Sequence, residues 1–267
     1  MIARHECGGK ANAVVTEGTK PRRKRLKRAL IAIGALIVVL AVGFTVYVSD
    51  YYHADEDALA AIADEDGATD GVTVQTLPDG EIAFVPEHAD AGLIFYPGGK
   101  VQPEAYAPLL TMCAREGILC VLVKPPFNLA IFDTDAAEGI AEQFPEVDAW
   151  LIGGHSLGGV SASMYLADHA EDYIGIVFLA AYPNDDLSQA SLEALSIVGS
   201  NDGVLDLQKY AEAEAKMPPH AQELVINGGN HANFGNYGEQ KNDGEADISR
   251  EDQQAQAADA IADFASR

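Results

Sequence analysis

From residue 91 onward, apolar strand-like runs alternate with stretches of helical composition, and this alternation leaves few folds open to the chain. Six runs are predicted to be strands: GLIFYP (92–97), GILCVLV (117–123), AWLIGG (149–154), IGIVFLAA (174–181), EALSIVG (193–199) and ELVING (223–228). The helical stretches lie at 103–116, 157–170, 207–216 and 251–265. Strands that are apolar throughout and separated by helices are typical of a mostly parallel sheet with helices on both faces.

A predicted hairpin precedes this alternation. Residues 72–77 (VTVQTL) and 81–86 (EIAFVP) flank Pro78-Asp79-Gly80, a combination typical of a tight turn. These two strands raise the predicted number to eight. The sequence therefore predicts an α/β fold around an eight-stranded sheet, and a hydrophobic content of 48% is sufficient for a large core.

An uncharged run of twenty residues, 29–48 (ALIAIGALIVVLAVGFTVYV), stands near the N-terminus. As a helix it would span about 30 Å, the thickness of the hydrocarbon core of a bilayer. Residues 20–28, directly before it, include seven Lys and Arg, and such a flank stays in the cytoplasm. Tyr47, Tyr51 and Tyr52 suit the opposite interface, where aromatic rings collect. The sequence predicts a single-pass cell-membrane protein with a cytoplasmic N-terminus and an extracytoplasmic main domain.

Two other interpretations of this region carry less weight. A cleaved signal peptide would have a shorter apolar run followed by a cleavage site with small residues, whereas the exit reads YVSDYY (47–52). A basic run can also bind nucleic acid or direct nuclear import. Its position beside an apolar span favours a role in membrane topology.

Charge is distributed very unevenly. Residues 1–48 hold nine Lys and Arg against two acids, whereas residues 49–267 hold eight against 39. The acidity, which we interpret as a well-solvated surface, argues against nucleic acid as a partner, because phosphate binding needs cationic side chains. It also weakens the case for docking on anionic lipid. The predicted organisation is a basic cytoplasmic tail (1–28), a transmembrane helix (29–48), a stalk or short acidic helix (49–70) and the main domain (71–267).

Within the stalk, residues 55–66 (DEDALAAIADED) have two interpretations of equal weight. One is a short amphipathic helix with Leu59 and Ile62 on its apolar side. The other is a solvated spacer.

The cysteines show no metal-type spacing such as C-x-x-C. Cys7 lies in the tail, and Cys113 and Cys120 lie seven residues apart in the main domain. An extracytoplasmic location would permit a disulfide between the latter two. We favour two buried free thiols, because a helix and a neighbouring strand often hold their Cα atoms too far apart for a bridge. We predict no metal or organic cofactor.

The strongest motif is Gly154-His155-Ser156-Leu157-Gly158, which follows a predicted strand and opens a predicted helix. A strand-turn-helix with G-x-S-x-G is typical of a nucleophile elbow, where a tight turn requires small residues on either side of an exposed serine. Ser156 is therefore the candidate nucleophile. The alternative is a glycine-rich turn with an incidental serine.

A serine nucleophile needs a base, and the base needs an acid that orients it. Asp202 follows the strand at 193–199, and His231 follows the strand at 223–228, in the order Ser, Asp, His that this type of site uses. We predict these two as the acid and the base. Three aspartates are the rivals of Asp202: Asp185, Asp186 and Asp206. His155 is interpreted as a packing residue, and no predicted strand end precedes the other histidines, His5, His53, His88, His169 and His220.

The oxyanion formed in such a reaction needs two backbone N–H donors. Leu157, directly after the serine, is one candidate. The turn Tyr96-Pro97-Gly98-Gly99-Lys100 supplies the other, with Gly99 as first choice and Lys100 as second.

These pieces together resemble the α/β-hydrolase superfamily, in its small lid-less branch related to dienelactone hydrolases. The resemblance covers residues 91–267, and a serine stands where the dienelactone hydrolases have a cysteine. Its pieces are FYPGGK (95–100), LVKPPFNLAIF (122–132), IGGHSLGG (152–159), AAYP (180–183), IVGSNDG (197–203) and GGNHANFGNYG (228–238). The resemblance implies an α/β-hydrolase fold and assigns the triad roles to the residues already chosen.

The expected activity is hydrolysis of a small carboxylic ester through an acyl-enzyme. The alternatives are acyl transfer to a cell-envelope acceptor and a non-catalytic envelope scaffold. A connection of about ten residues, 184–193, leaves no room for a lid, so short acyl groups are expected. Lys100, Lys124 and Asn128 are candidate substrate-binding residues. The favoured alternative for the lysines is ion pairing, Lys100 with Glu104 and Lys124 with a nearby acid.

Overall fold

The computed structural model describes residue 9 and residues 20–63 and 71–267 of the chain. The described residues divide between Tyr47 and Val48 into two compact units. The first consists mainly of helix α1 (Lys20–Ser49), which contains the predicted span 29–48. Within α1, residues Arg25–Ser49 have a mean hydropathy of 2.8. Among the described residues, α1 is the helix that is long and apolar enough to cross a membrane.

The second unit contains the predicted eight-stranded sheet. Its strands are β1 (Val72–Thr76), β2 (Ile82–Pro86), β3 (Ala91–Tyr96), β4 (Ile118–Leu122), β5 (Trp150–His155), β6 (Gly175–Leu179), β7 (Glu193–Gly199) and β8 (Gln222–Ile226). The spatial order is β1-β2-β4-β3-β5-β6-β7-β8. Strand β2 pairs antiparallel with β1 and β4, and all other pairings are parallel. This is the α/β-hydrolase fold that the sequence predicts.

In the described part of this unit, five helices cover the two faces of the sheet or border it: α2 (Glu56–Ala63), α3 (Ala107–Arg115), α4 (Leu157–His169), α5 (Leu207–Ala213) and α6 (Arg250–Ala265). Successive side chains of a strand point to opposite faces. In β3, Leu93 and Phe95 join the cluster that includes α3 and α6, whereas Ile94 and Tyr96 join the cluster that includes α4. The central strands are therefore apolar on both faces, which explains their continuous apolar sequence.

The segment after α1 packs against the domain. Asp55 caps α2 by accepting a hydrogen bond from the N–H of Ala58 at 3.0 Å, and its carboxylate forms an ion pair with Arg250 at 2.5 Å. Ala58 is fully buried, while Leu59 is 42% exposed. The apolar side of α2 is thus centred on Ala58 and Ile62, and the expectation for Leu59 is wrong because α2 faces the core one residue earlier.

Cys113 on α3 and Cys120 on β4 are both buried free thiols. Burial raises the pKa of Cys120, and the neighbouring Cys113 raises it further. The disulfide alternative is not realised. The two residues contribute to the apolar core between helix and sheet.

Candidate active site

Ser156 occupies the sharp turn between β5 and α4. Its backbone has φ 52° and ψ −121°, a conformation that is uncommon for a residue other than glycine. Its N–H donates to the carbonyl of Leu179 at 2.9 Å, which ties the turn to the end of β6. A Cβ at Gly154 or Gly158 would overlap the carbonyl oxygen of Tyr96. The turn therefore requires both glycines, and it leaves Ser156 half-buried at the carboxyl edge of the sheet.

Asp202 and His231 are in direct contact beside this turn. Nδ1 of His231 lies 2.8 Å from Oδ2 of Asp202, and both side chains are 2% exposed. Oδ1 of Asp202 accepts hydrogen bonds from the N–H groups of Val204 and Leu205, each at 2.8 Å. Burial raises the pKa of Asp202, but the hydrogen bonds from His231 and from these two amides outweigh it, so the pKa lies below its ordinary value. Asp202 is accordingly an ionised acceptor at neutral pH.

This contact determines which ring nitrogen of His231 carries the proton. An ionised carboxylate only accepts hydrogen bonds, so the proton of neutral His231 is on Nδ1 and Nε2 has a lone pair. Nε2 is buried and has no hydrogen-bond partner in the described part of the chain. His231 and Ser156 line the same cavity of about 230 Å³. The candidate base and the Ser156 hydroxyl are thus brought to one site, although no hydrogen bond joins them in this structure.

The rest of this cavity is mostly apolar. Its other lining residues are Leu157, Val160, Ala180, Ala181, Tyr182, Val204, Leu205 and Asp206. Asp206, a rival of Asp202 in the sequence, caps α5 by accepting a hydrogen bond from the N–H of Lys209. The other two rivals, Asp185 and Asp186, lie on the turn after β6, where Asp186 accepts from the N–H of Ser188. Only Asp202, among these four, contacts His231.

The two first-choice oxyanion donors lie next to each other. A Cβ at Gly99 would lie 2.8 Å from Cδ2 of Leu157, so the side chain of Leu157 packs on the Gly99 backbone. The N–H groups of Gly98 and Lys100 are already used: they donate to Oη of Tyr106 at 3.0 Å and to the carbonyl of Asn128 at 2.7 Å. The N–H of Lys100, the second choice, is therefore already engaged within the loop. Gly99 N–H has no acceptor among the described residues.

The candidate substrate-binding residues lie outside the cavity. Nζ of Lys124 pairs with Oε1 of Glu104 at 2.6 Å, and Nζ of Lys100 lies 3.2 Å from Oδ2 of Asp50. The expected pairing of Lys100 with Glu104 is wrong, because Lys124, at the end of the neighbouring strand, takes that carboxylate. Asn128 contributes its backbone carbonyl to the loop that holds Lys100.

His155 packs as expected, but it also contacts the base. Its ring centroid lies 4.5 Å from that of His231. Oη of Tyr106 accepts from the N–H of Gly98 at 3.0 Å and lies within hydrogen-bond distance, 2.7 Å, of Nδ1 of His155. Burial lowers the pKa of His155, and the nearby His231 lowers it further. His155 is therefore neutral, and any positive charge that forms on His231 has no charged ring beside it.

Asp243 is a residue that sequence reasoning missed. Its Oδ1 accepts from the N–H groups of Gly203, His231 and Gly244 at 3.0, 3.2 and 2.8 Å, and its Oδ2 accepts from Ala232 at 2.8 Å. One carboxylate thus joins the loop of Asp202 to the loop of His231. No strand end or motif precedes Asp243, so its role depends on the tertiary structure alone.

A serine at a strand-turn-helix, on an eight-stranded mostly parallel sheet, defines a hydrolase of the α/β class. The chain belongs to the alpha/beta hydrolase family, whose model matches residues 92–255. No curated protein matches this chain in sequence.

Solved structures show the same fold. Est1E from Butyrivibrio proteoclasticus has a TM-score of 0.50 at 13% identity, covering 73% of this chain and 97% of its own. A predicted CIB-like hydrolase from Thermoplasma acidophilum has a TM-score of 0.51 at 13% identity, covering 72% of this chain and 100% of its own. At identities this low, the similarity shows a shared fold and nothing about activity.

Proposed function

We propose that this protein is a membrane-anchored serine hydrolase that cleaves carboxylic esters outside the cytoplasm through an acyl-enzyme. One observation carries the proposal. His231 is held by Asp202 with its Nε2 lone pair unpartnered, in the cavity that Ser156 lines. This arrangement is suited to taking a proton from the serine hydroxyl.

In the first half-reaction, Oγ of Ser156 bonds to the ester carbonyl carbon while Nε2 of His231 takes the hydroxyl proton. The carbonyl electron pair moves to its oxygen, which the N–H groups of Gly99 and Leu157 bind. When this intermediate collapses, the carbon–oxygen bond to the alcohol breaks and the alcohol leaves with the proton from His231. Asp202 stabilises the positive charge on His231 in between.

In the second half-reaction, water attacks the acyl carbon and gives a proton to His231. The bond to Ser156 then breaks, the carboxylic acid leaves, and Ser156 regains its proton. Every proton transfer uses His231, and the strained turn keeps the Ser156 hydroxyl at the edge of the cavity throughout.

Helix α1 supports the anchoring part of the proposal. Its apolar side chains are exposed, for example Leu36 at 57% and Val39 at 66%. A hydrocarbon environment removes the cost of exposing them to water. The basic residues 20–28 place the N-terminus in the cytoplasm, so the hydrolase domain lies on the other side of the membrane.

Covalent labelling with a fluorophosphonate probe tests the proposed nucleophile. Wild type is expected to be labelled, Ser156→Ala is not, and Ser266→Ala, at the end of α6, serves as the labelled control. Loss of the nucleophile is expected to lower kcat by several orders of magnitude, as loss of the serine nucleophile of subtilisin does, on the order of 10⁶. Ester hydrolysis by Ser156→Ala at the wild-type rate would overturn the assignment. Product analysis with an added acceptor alcohol separates hydrolysis from acyl transfer.

A further inference from the structure

The chain segment that follows α1 is bound to the loop that carries Gly99. The N–H of Tyr52 donates to the carbonyl of Lys100 at 2.7 Å, and the N–H of Gln102 donates to the carbonyl of Tyr52 at 2.9 Å. The N–H of Ala54 donates to Oε1 of Gln102 at 3.1 Å. The segment after the proposed anchor is therefore attached at the loop that carries Gly99, which we call the oxyanion loop (residues 96–102), on the carboxyl edge of the sheet.

Chain length limits how far this edge can lie from the membrane. The proposed span ends at Val48, and Tyr52 is the first residue in this backbone pairing. A connection of four residues reaches at most about 14 Å. Covalent connectivity therefore keeps Tyr52, and the Lys100 carbonyl to which it is bonded, within about 14 Å of the end of the proposed span.

The same edge exposes an apolar loop, which follows β4. Phe127, Ile131 and Phe132 are 53%, 41% and 55% exposed, and the two aromatic rings lie edge to face with centroids 6.1 Å apart. In the described part of the domain, no other six-residue stretch carries three large exposed apolar side chains. Phe127 and Asn128 both have positive φ, near 60°, a strained backbone of the kind that persists at functional positions.

Lys100 joins these parts through its backbone. Its carbonyl accepts from Tyr52, and its N–H donates to Asn128 in the apolar loop. The anchor connection, the oxyanion loop and the apolar loop thus form one connected surface beside Ser156. We propose that this surface rests on the lipid bilayer, with Phe127, Ile131 and Phe132 in the interfacial layer where aromatic and apolar side chains are favoured. The acidic domain makes this contact apolar rather than electrostatic.

This placement, which rests on the proposed function, deepens it by naming a substrate class. The cavity at Ser156 is about 230 Å³, below the roughly 300–1,000 Å³ of sites that enclose drug-sized ligands. It has room for a short acyl group, while the remainder of the substrate stays outside. At a bilayer surface that remainder can stay in the lipid. The substrate is a short-chain acyl ester of a membrane-resident amphiphile.

Fluorescence quenching tests the placement without using activity. The full chain is reconstituted in phosphatidylcholine vesicles containing brominated lipid, which quenches tryptophan at the membrane. The natural Trp150 is 4% exposed and serves as the background. Phe132→Trp is the test variant. Ile174→Trp is the matched control, because Ile174 is 44% exposed and directly precedes β6, at the opposite edge of the sheet.

We expect the added tryptophan of Phe132→Trp to be quenched by at least half. The added tryptophan of Ile174→Trp should be quenched little. Equal quenching of the two variants, or none in Phe132→Trp, would overturn the placement. This result stands whether or not Ser156 is the nucleophile.

A spacer insertion tests the substrate class. A twenty-residue Gly-Ser segment between Ser49 and Asp50 adds a reach of ~25 Å and releases the edge from the membrane. The same segment in the Pro78-Asp79-Gly80 turn is the control. Each protein, in vesicles, is assayed on hexadecyl acetate embedded in the bilayer and on water-soluble p-nitrophenyl acetate.

We expect the spacer after Ser49 to lower kcat/KM for the embedded ester by tenfold or more and to leave that for the soluble ester unchanged. The control insertion should change neither. An unchanged rate on the embedded ester, or wild-type hydrolysis of the soluble ester alone, would overturn the substrate class. Hydrolysis of neither ester together with absent probe labelling would instead refute the proposed function.

Discussion

The rings of His155 and His231 lie with their centroids 4.5 Å apart, and one of them is neutral. A hydrogen bond of 2.7 Å between Oη of Tyr106 and Nδ1 of His155 fixes the His155 ring, and the lowered pKa of His155 means that it packs against His231 without adding a charge. Asp202 is the carboxylate that contacts the ring of His231. In the proposed reaction the energetics of the base therefore depend strongly on Asp202.

Asp202→Asn is expected to lower kcat strongly while leaving KM and folding largely unchanged. An amide in place of the carboxylate can donate to Nδ1, which moves the proton of His231 to Nε2 and removes the lone pair that the reaction needs. In the serine-protease triad the corresponding change costs roughly 10⁴ in kcat. Steady-state kinetics on a soluble ester provide the measurement. Asp206→Asn and Asp185→Asn are controls, and an inactive control beside an active Asp202→Asn would show that another aspartate is the acid.

Asp243→Ala is expected to lower kcat by about 10–100-fold with little change in KM, since the loops of Asp202 and His231 lose their shared acceptor. Asp243→Asn keeps one carbonyl oxygen, so partial rescue is expected. The rate of probe labelling, and separate values of kcat and KM, distinguish a role in positioning Asp202 and His231 from a simple loss of stability. Asp259→Ala, on the exposed side of α6, is the control. Wild-type kinetics in Asp243→Ala would mean that the loops hold their geometry without this residue.

Lys124→Met is expected to lower kcat/KM equally for a neutral ester and for its carboxylate-bearing analogue. Lys124 is paired with Glu104 and does not line the cavity, so it has no contact with which to select an anionic substrate. The measurement is kcat/KM for both esters on wild type and variant. A selective loss for the anionic ester would establish a receptor role for Lys124.

The same variant should show a pH-dependent stability difference from wild type. Burial raises the pKa of Glu104, but the hydrogen bond and the charge of Lys124, together with hydrogen bonds from its own backbone and from Gln102, outweigh it and leave the pKa below its ordinary value. A lowered folded-state pKa contributes stability that is fully present above the unfolded pKa, about 4.3 for glutamate, and is lost as pH falls through the folded value. We therefore expect Lys124→Met to be less stable by about 1–2 kcal/mol at pH 7, and the difference to shrink below about pH 4.

Urea unfolding in detergent micelles, followed through Trp150, measures this difference. Lys209→Met is the matched control, because its partner Asp206 belongs to an exposed pair, 3.5 Å apart with side chains 65% and 46% exposed. Such pairs contribute little to stability. A difference for Lys124→Met that stays constant down to pH 3 would show that Glu104 is not its origin.

The sequence was sufficient for the features that depend on local chemistry. A strand buried on both faces must be apolar at every position, so the six runs after residue 91 could be located without tertiary information. The turn at Ser156 could be located because its glycines are a steric requirement of the turn itself. Asp202 and His231 could be proposed together because the carboxyl ends of parallel strands meet at one edge, and the structure places them in contact.

Contacts between residues far apart in the chain depended on the tertiary structure. Neighbouring charges suggested Lys100 with Glu104, but packing brings Lys124 to that carboxylate and Asp50 to Lys100. The carboxylate of Asp243 and the pairing of Tyr52 with Val101 had no sequence signal, because each joins loops whose approach is set by how the helices close on the sheet. Local steric requirements and burial can be recognised from short stretches of sequence. The partners of a surface charge, and the sheet edge that the segment after α1 contacts, are decided only when the whole domain has packed.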